Sequence, residues 1–571
     1  MKFDENLLGI NFENGIFSNN TYIHLLGGYE YTDYKTKWHA GFQTPNEWPL
    51  TFSYNLDYKQ CDSIGDARTN WELNRHFQFA LLAKAIFVEK RKGNSIELLL
   101  EDLSSQFYDW NKSNPFLHGI SWTSVMEIAI RSISWMYTLA FLRKADVGSD
   151  NICTELETGI LNMVDYVTKH YSRFSSANNH LLVESLSIGI AGYCFHSKRW
   201  KTLAVNLLTE EITKQNYSDG VNKELSLHYQ TFGMEAYALM SHVMKSNGDA
   251  TPESWLKMME KQCEYVSHCM WREKAVIEFG DDDEGKILDL QGGDVFHPIY
   301  VLQLCSLILD KSFSNFIDIN ETVRWLFSND DIERLKRKET YNPNKNRCFS
   351  EGGNTFLRDK NGHVLIGIDH AALGFGTIAA HGHADALSLQ LMVDGKNILV
   401  DPGTFIYHCN LQKRNEFRKT INHNTLSING KDQSEMLGAF LWGKKANCKL
   451  IEWKDEPNKA TLIAEHDGYS PIIHQRKVEW NNHNELIVLD KLSSNSEWTV
   501  TWILSPECKL DSSSGMLSIS NGHTTLQLFS SCGDISIEEA DVSEKYGLLK
   551  STKAVRIRGF EKEHLTRILI K

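Results

Sequence analysis

The hydrophobic period of this chain changes near residue 340, and that change does most to restrict what it can fold into. Upstream, stretches of helical length recur at 71–90, 121–143, 155–171, 179–195, 199–215, 224–247, 252–274 and 294–328. Each places apolar residues at three- and four-residue intervals, the spacing of one helix face. Several, such as 121–143 (SWTSVMEIAIRSISWMYTLAFLR), are apolar on almost every face and are expected to be buried on both sides. The whole chain holds only ten prolines, which suits long uninterrupted helices. Beyond 345 the segments shorten and turn to β-branched and aromatic residues: VLIGID, LSLQLMV, NILVD, NTLSING, TLIAEH, ELIVLDKL, WTVTWIL and TTLQLFS. Clusters of Gly, Asn and Asp separate them, as in antiparallel strands joined by turns. The polar, proline-containing stretch 338–347 reads as a linker. The expectation is an α+β multidomain chain, with a helical domain over 1–340 and an antiparallel β-sandwich over 345–571.

Size agrees with more than one core, since 571 residues exceed what a single core serves. An apolar fraction of 42% with 11% aromatics can fill such cores. The net charge of -13 argues against a general nucleic-acid binder but leaves room for a local basic cleft. Eleven cysteines are scattered without a C-x-x-C pair and are expected to be free thiols. No run of about 18 uncharged apolar residues occurs, so no membrane span is expected. The opening MKFDENLLGINFENG lacks the basic and apolar regions of a secretory signal. The chain is therefore expected in the cytoplasm, or in the periplasm or outside the cell if a signal has been removed.

The chemistry concentrates in His381-Gly-His-Ala-Asp385, followed by Asp401-Pro-Gly and His423-Asn-Thr. His383, Asp401 and His423 stand at strand ends in a Gly-punctuated β region, and two imidazoles with a carboxylate suit zinc. His381 is then left to face a substrate, and Asp385 could orient a ligand imidazole from behind. Alternatively, histidines on a strand are surface or satisfied-core residues.

The helical half carries a second constellation. Asn178-Asn179-His180 opens a helix, so Asn179 can cap it or reach a ligand. Tyr229 falls in the first turns of the helix after DGVNKELSLHY, where a buried Tyr commonly packs with one hydrogen bond. Glu72 and Arg75, and Glu127 and Arg131, lie within apolar helices, where charges must be paired or face a wet cavity. The second pair is spaced for an i,i+4 salt bridge. The acidic turn GDDDEG (280–285) is expected to be a solvated loop, with cation binding or a hydrolase carboxylate as alternatives.

Taken in order, WELNRH (71–76), GISWTSVMEIAIRSISW (119–135), NNH (178–180), DGVNKELSLHY (219–229), GDDDEG (280–285), HGHADALSLQL (381–391), VDPGTFIY (400–407) and FRKTINHNTLSING (417–430) resemble the heparinase II/III-like polysaccharide lyases. The resemblance implies an N-terminal incomplete α/α toroid, a C-terminal antiparallel β-sandwich, and a cleft between them for an acidic polysaccharide. It implies cleavage of a uronic-acid-containing chain by β-elimination. In that scheme Asn179, with His180 or His381, binds the uronate carboxylate, and Tyr229 donates a proton to the departing oxygen. The base is Tyr229 itself, His381, His180 or Tyr407. A tyrosine base would need nearby cations, for which Arg414, Arg418 and the histidines are candidates. The family zinc set maps onto His383, Asp401 and His423, in a structural role. Arg75, Arg131, Arg173, Arg414 and Arg418 are expected to attract uronates or sulfates, with Glu127 and Glu224 beside them.

Two readings compete. A hydrolase on the same scaffold would use Asp283 and Glu224 as its carboxylate pair. A carbohydrate-binding or capsule-assembly protein would keep the groove without the chemistry.

Overall fold

The structure is a computed structural model. It describes the whole chain except residues 14–24, 30–36, 60–61, 148–149, 175–176, 482–483 and 513–516. The helical half is built from α1 (Ala67–Asn74), α2 (Phe77–Arg91), α3 (Glu97–Ser113), α4 (Val125–Lys144), α5 (Asp150–His170), α6 (Asn179–Cys194), α7 (Lys198–Lys214), α8 (Leu227–Ser246), α9 (Glu253–Cys269) and α10 (His297–Leu309). Two short helices, α11 (Glu321–Leu326) and α12 (Asn329–Lys336), complete it.

The helices form two concentric layers, and composition decides which layer each joins. The inner helices α2, α4, α6, α8 and α10 pack one against the next, and each is apolar around almost its whole circumference. The outer helices α3, α5, α7 and α9 each back onto an inner neighbour. On α3, α7 and α9 only a stripe is buried; on α3 that stripe is Leu103, Gln106, Phe107 and Trp110. Helix α4 is long and apolar enough to cross a membrane by composition, but here its residues 126–142 are buried among other helices.

Three expectations are corrected. The stretch 71–90 is two helices, broken where His76 takes a left-handed conformation with φ 61°. Helix α3 was not anticipated, because its single buried stripe gives a weaker periodic signal than the inner helices. The stretch 294–328 is α10 and α11 with a loop between them.

The first residues close one end of the ring. Asp4 N–H bonds Cys194 O at 2.7 Å, Arg143 Nη1 bonds Phe3 O at 2.6 Å, and His242 Nε2 lies 2.8 Å from Gly9 O. These are the C-terminal ends of α6, α4 and α8. The N-terminal ends of the inner helices therefore gather at the opposite end.

The β half stacks against that ring. A five-stranded antiparallel meander (Arg347–Phe349, Asn354–Arg358, Val364–Asp369, Leu389–Val393, Lys396–Leu399) is covered on both faces. Phe356, Leu365 and Met392 point into the helical core, while Leu357, Val364, Ile366 and Leu391 join the sandwich core. Double burial explains the continuous apolar runs. Gly367 permits the close approach: a Cβ there would meet Ile277 Cγ2 at 2.7 Å. Beyond it lie an eight-stranded and a four-stranded antiparallel sheet. The eight-stranded sheet alternates in burial along His474–Asn481 and Glu485–Leu492, in register Val478 to Val488. The described cysteines are all free.

Candidate active site

Three inner helices present their first turns to one place. Ser124 caps α4 by accepting from Glu127 N–H, Asn178 caps α6 through His180 N–H, and Ser226 caps α8 through Tyr229 N–H. The caps fix Glu127, Asn179, His180 and Tyr229 at helix N-termini, where the aligned peptide dipoles favour a negative charge. The capping role therefore falls to Asn178, and Asn179 occupies the first helical position. Glu224 holds both asparagines: its carboxylate accepts from Asn179 Nδ2 at 2.9 and 3.1 Å, Asn179 N at 3.1 Å and Asn178 Nδ2 at 3.2 Å. Burial is the largest influence on Glu224 and raises its carboxyl despite these donors. Asn179 Oδ1 is buried without a protein partner. Burial also pushes His180 down to about 4, so its ring is neutral near pH 7.

Tyr229 is buried, and its hydroxyl lies 3.0 Å from that of Tyr407. The His381 ring stacks on Tyr229 with centroids 3.8 Å apart. Burial raises both tyrosines well above the usual phenol range, helped at Tyr229 by Asp283 and at Tyr407 by Asp281. Arg414 pulls Tyr407 the other way from 4.9 Å over its ring, but is outweighed. Both phenols are therefore protonated donors as they stand.

The acidic turn is not a solvated loop. Asp281 is fully buried and accepts from Arg414 Nη1 and Nη2 at 2.5 Å each and from Thr404 Oγ1 at 3.2 Å. It also meets His381 Nδ1 at 3.2 Å and His383 Nε2 at 3.0 Å. One carboxylate from the helical half thus orients four side chains of the β half. Burial alone would raise it, yet Arg414 and the two histidines hold it well below the usual carboxylate range. Asp283 is treated alike by Arg68 at 2.7 Å and His228 at 3.1 Å.

A second tie holds the Tyr407 loop. Asp66, the N-cap of α1, accepts from Tyr407 N at 2.7 Å, Tyr546 Oη at 2.6 Å and His408 N at 3.2 Å, with His408 Nδ1 at 3.0 Å. Burial opposes its charge, but these groups outweigh burial and hold it at about 2.

His383, Asp385, Asp401 and His423 offer ligand atoms all within 4.8 Å of one another. His383 Nδ1 and His423 Nε2 face each other at 3.1 Å. The far nitrogen of each ring meets an acceptor, Asp281 for His383 and Lys419 O at 2.7 Å for His423. Those acceptors draw the ring protons outward and leave two lone pairs opposed, which repel unless a cation or proton lies between them. Asp401 stands 3.9 Å from His383 and 3.4 Å from His423. The donor set fits a zinc ion, with Asp385 offering a carboxylate oxygen as the fourth donor.

The expected substrate arginines divide. Arg75 spends its guanidinium on Glu127 at 2.7 and 2.8 Å and on Glu72 at 3.1 Å, so Glu127 pairs across helices with Arg75 and not with Arg131. Arg131 bonds Asn74 O and Ser121 O at 2.9 and 2.6 Å, between the rings of Trp110 and Trp122. Arg418 bonds Gly438 O at 2.8 Å and lies over Trp442. With Arg414 these are buried, because a guanidinium inside apolar packing needs protein acceptors. Arg173 alone of the five is exposed, over Tyr171 at 4.4 Å. Sequence reasoning passed over Asp66, His408, Phe440 and Tyr546. Phe440 packs against His381, Tyr407 and His408 at 5.9, 5.0 and 5.3 Å, yet comes from a hairpin with no motif of its own.

Comparison with known proteins bears on the two halves of the chain. Residues 30–290 match the family described as Heparinase II/III N-terminus, and residues 343–570 match Heparinase II/III-like, C-terminal. A heparin-sulfate lyase of Bacteroides stercoris is 21% identical over 494 residues, 81% of this chain and 67% of that protein. One of Pedobacter heparinus is 23% identical over 475 residues, 77% of this chain and 62% of that protein, so the match spans under two thirds of its length. A crystal structure of heparinase III superposes with a TM-score of 0.70 at 16% identity, covering 100% of this chain and 85% of that one. With both halves matched in order, the chain belongs to the heparinase II/III-like family.

Proposed function

We propose that this protein is a glycosaminoglycan lyase, acting on heparan-type chains by β-elimination. The observation that carries the reading is the Tyr229–Tyr407 hydroxyl pair, 3.0 Å apart beside His381 and at the N-termini of α6 and α8. The uronate carboxyl enters at those helix ends. Asn179 Oδ1 accepts a hydrogen bond from it when it is protonated, which makes the C5 proton easier to remove. His381 takes that proton on Nε2, with Asp281 holding Nδ1. The C5–H electron pair forms the C4–C5 double bond, the C4–O4 bond breaks, and Tyr229 protonates the departing O4. No water is consumed. Tyr407, fixed by Asp66, orients the Tyr229 hydroxyl.

Zinc held by His383, Asp401 and His423 belongs to the same proposal. Bound, it supplies a fixed cross-link under the loop that carries His381, and the proton transfers are left to the side chains.

The hydrolase reading is not favoured. It needs two free carboxyls, whereas Asp283 is ion-paired with Arg68 and Glu224 is committed to Asn178 and Asn179. The test is near-UV absorbance of the unsaturated uronate across heparan sulfate, heparin, chondroitin sulfate, hyaluronan and alginate. A rise with heparan sulfate is expected. New reducing ends without absorbance would overturn the lyase reading.

A further inference from the structure

Large exposed rings are uncommon on a protein surface unless something covers them. Three of them cluster here: Phe52 is 41% exposed, Tyr54 64% and Phe116 48%. They are held in place. Phe52 stacks on Tyr54 at 5.4 Å and 26°, Tyr54 Oη bonds Tyr166 Oη at 2.7 Å, and Phe116 sits edge-on to Trp122 at 4.9 Å and to Tyr166 at 5.9 Å. Backbone pairing of Phe52 with His118 joins the two loops that carry them.

Their position follows from chain order. The loop 115–124 leads into α4 with Glu127, and residues 171–174, which follow α5, come just before α6 with Asn179 and His180. Both therefore open at the end of the ring where the site lies. Contacts run unbroken between the two places. Trp71 Nε1 bonds Thr123 Oγ1 at 3.2 Å, Trp71 meets His408 at 5.4 Å, His408 meets Phe440 at 5.3 Å, and Phe440 meets His381 at 5.9 Å. Through these side chains the aromatic loops are braced against the residues around the tyrosine pair.

Their charge is also distinctive. Segments 48–56, 115–124 and 170–178 contain no Asp or Glu, in a chain that carries 73 of them. They do contain His118, His170 and the exposed Arg173. Exposed aromatic rings with an arginine on the neighbouring loop suit a polymer of pyranose rings that bears carboxylates or sulfates.

We propose that Phe52, Tyr54 and Phe116 form a sugar-stacking subsite at the outer rim of the cleft. It takes pyranose rings of the acidic chain several residues from the bond being broken, and Arg173 engages a carboxylate or sulfate on them. This rests on the lyase reading for its occupant. Its consequence is a preference for long chains over short ones, since only a long chain reaches both the tyrosine pair and the rim.

The experiment compares Tyr54→Ala/Phe116→Ala with wild type on polymeric heparan sulfate and on a heparan tetrasaccharide. Specificity (kcat/KM) for the polymer is expected to fall about tenfold through KM, the combined effect of two aromatic contacts, while tetrasaccharide turnover stays unchanged. Tyr54→Phe/Phe116→Tyr keeps both rings and restores the polymer value. Equal losses on both substrates, or no loss on the polymer, would overturn the subsite. The same pair of substitutions in a Tyr229→Phe background is run through native gels cast with heparan sulfate. Weaker retardation supports the rim and unchanged retardation sinks it, even if the wild type yields no unsaturated product and the lyase reading fails.

Discussion

Asp66→Asn separates catalytic positioning from mere packing. Asp66 comes from the start of α1, yet its carboxylate receives Tyr407 N–H, His408 N–H and Tyr546 O–H from the β half. Asparagine has the same shape but only one accepting oxygen, and it cannot carry the charge. The wild-type carboxyl sits at about 2 instead of 3.8, a preference for the charged form of about 2–3 kcal/mol. Because the folded value is the lower one, that stability is present above pH 4 or so and fades as the pH falls toward 2. The asparagine variant should therefore lose roughly 2–3 kcal/mol at pH 7 and show a flatter acid limb. Its larger effect should be on turnover. A Tyr407 loop displaced by about 1 Å lowers kcat by roughly a hundredfold, with KM little changed, since no proposed substrate contact is removed. The assay is steady-state lyase kinetics beside thermal unfolding at pH 7 and pH 4. A variant that loses stability but keeps wild-type kcat would refute the idea that Asp66 serves the reaction by holding Tyr407.

Three further outcomes are expected. Asp281→Asn strands Arg414 as an uncompensated buried charge, so unfolding stability should drop by about 3–5 kcal/mol, and lyase activity should fall with it; denaturant titration and kinetics check both. Glu184, on inner helix α6, is raised by burial to about 8 despite donors from Ser172. Such a group is protonated when folded and weakens the fold as pH climbs from 4.5 toward 8, so Glu184→Gln should raise the melting temperature at pH 8 but not at pH 4.5. Elemental analysis should find about one zinc per chain, lost in His423→Ala together with thermal stability; full metal content in that variant would exclude the His383–Asp401–His423 site.

Periodicity made the architecture legible because burial on all sides leaves the inner helices mostly apolar. The same signal overlooked α3, whose buried stripe covers less than half its surface, and it ran through His76, where the break depends on one left-handed residue. For the site, the local patterns around His381, Asp401 and His423 named residues that the fold brings within a few ångströms. Residues that act across the two halves left no such trace. Asp66 lies 341 positions before Tyr407, and Tyr546 lies 480 after Asp66, so their meeting exists only in three dimensions. Arginine is the converse case. Its presence in an apolar helix announces a partner without naming it, and Arg75 chose Glu127 while Arg131 chose two carbonyls.

The most direct measurement is the initial rate of unsaturated-uronate formation from heparan sulfate by wild type and by Tyr229→Phe. The substitution removes one hydroxyl and leaves the buried ring in place, so the fold should persist and melting should change little. Loss of the proton donor should lower the rate by about 10²–10⁴-fold while binding in heparan sulfate gels is retained. A Tyr229→Phe protein that forms the double bond at the wild-type rate would contradict elimination at the Tyr229–Tyr407 pair.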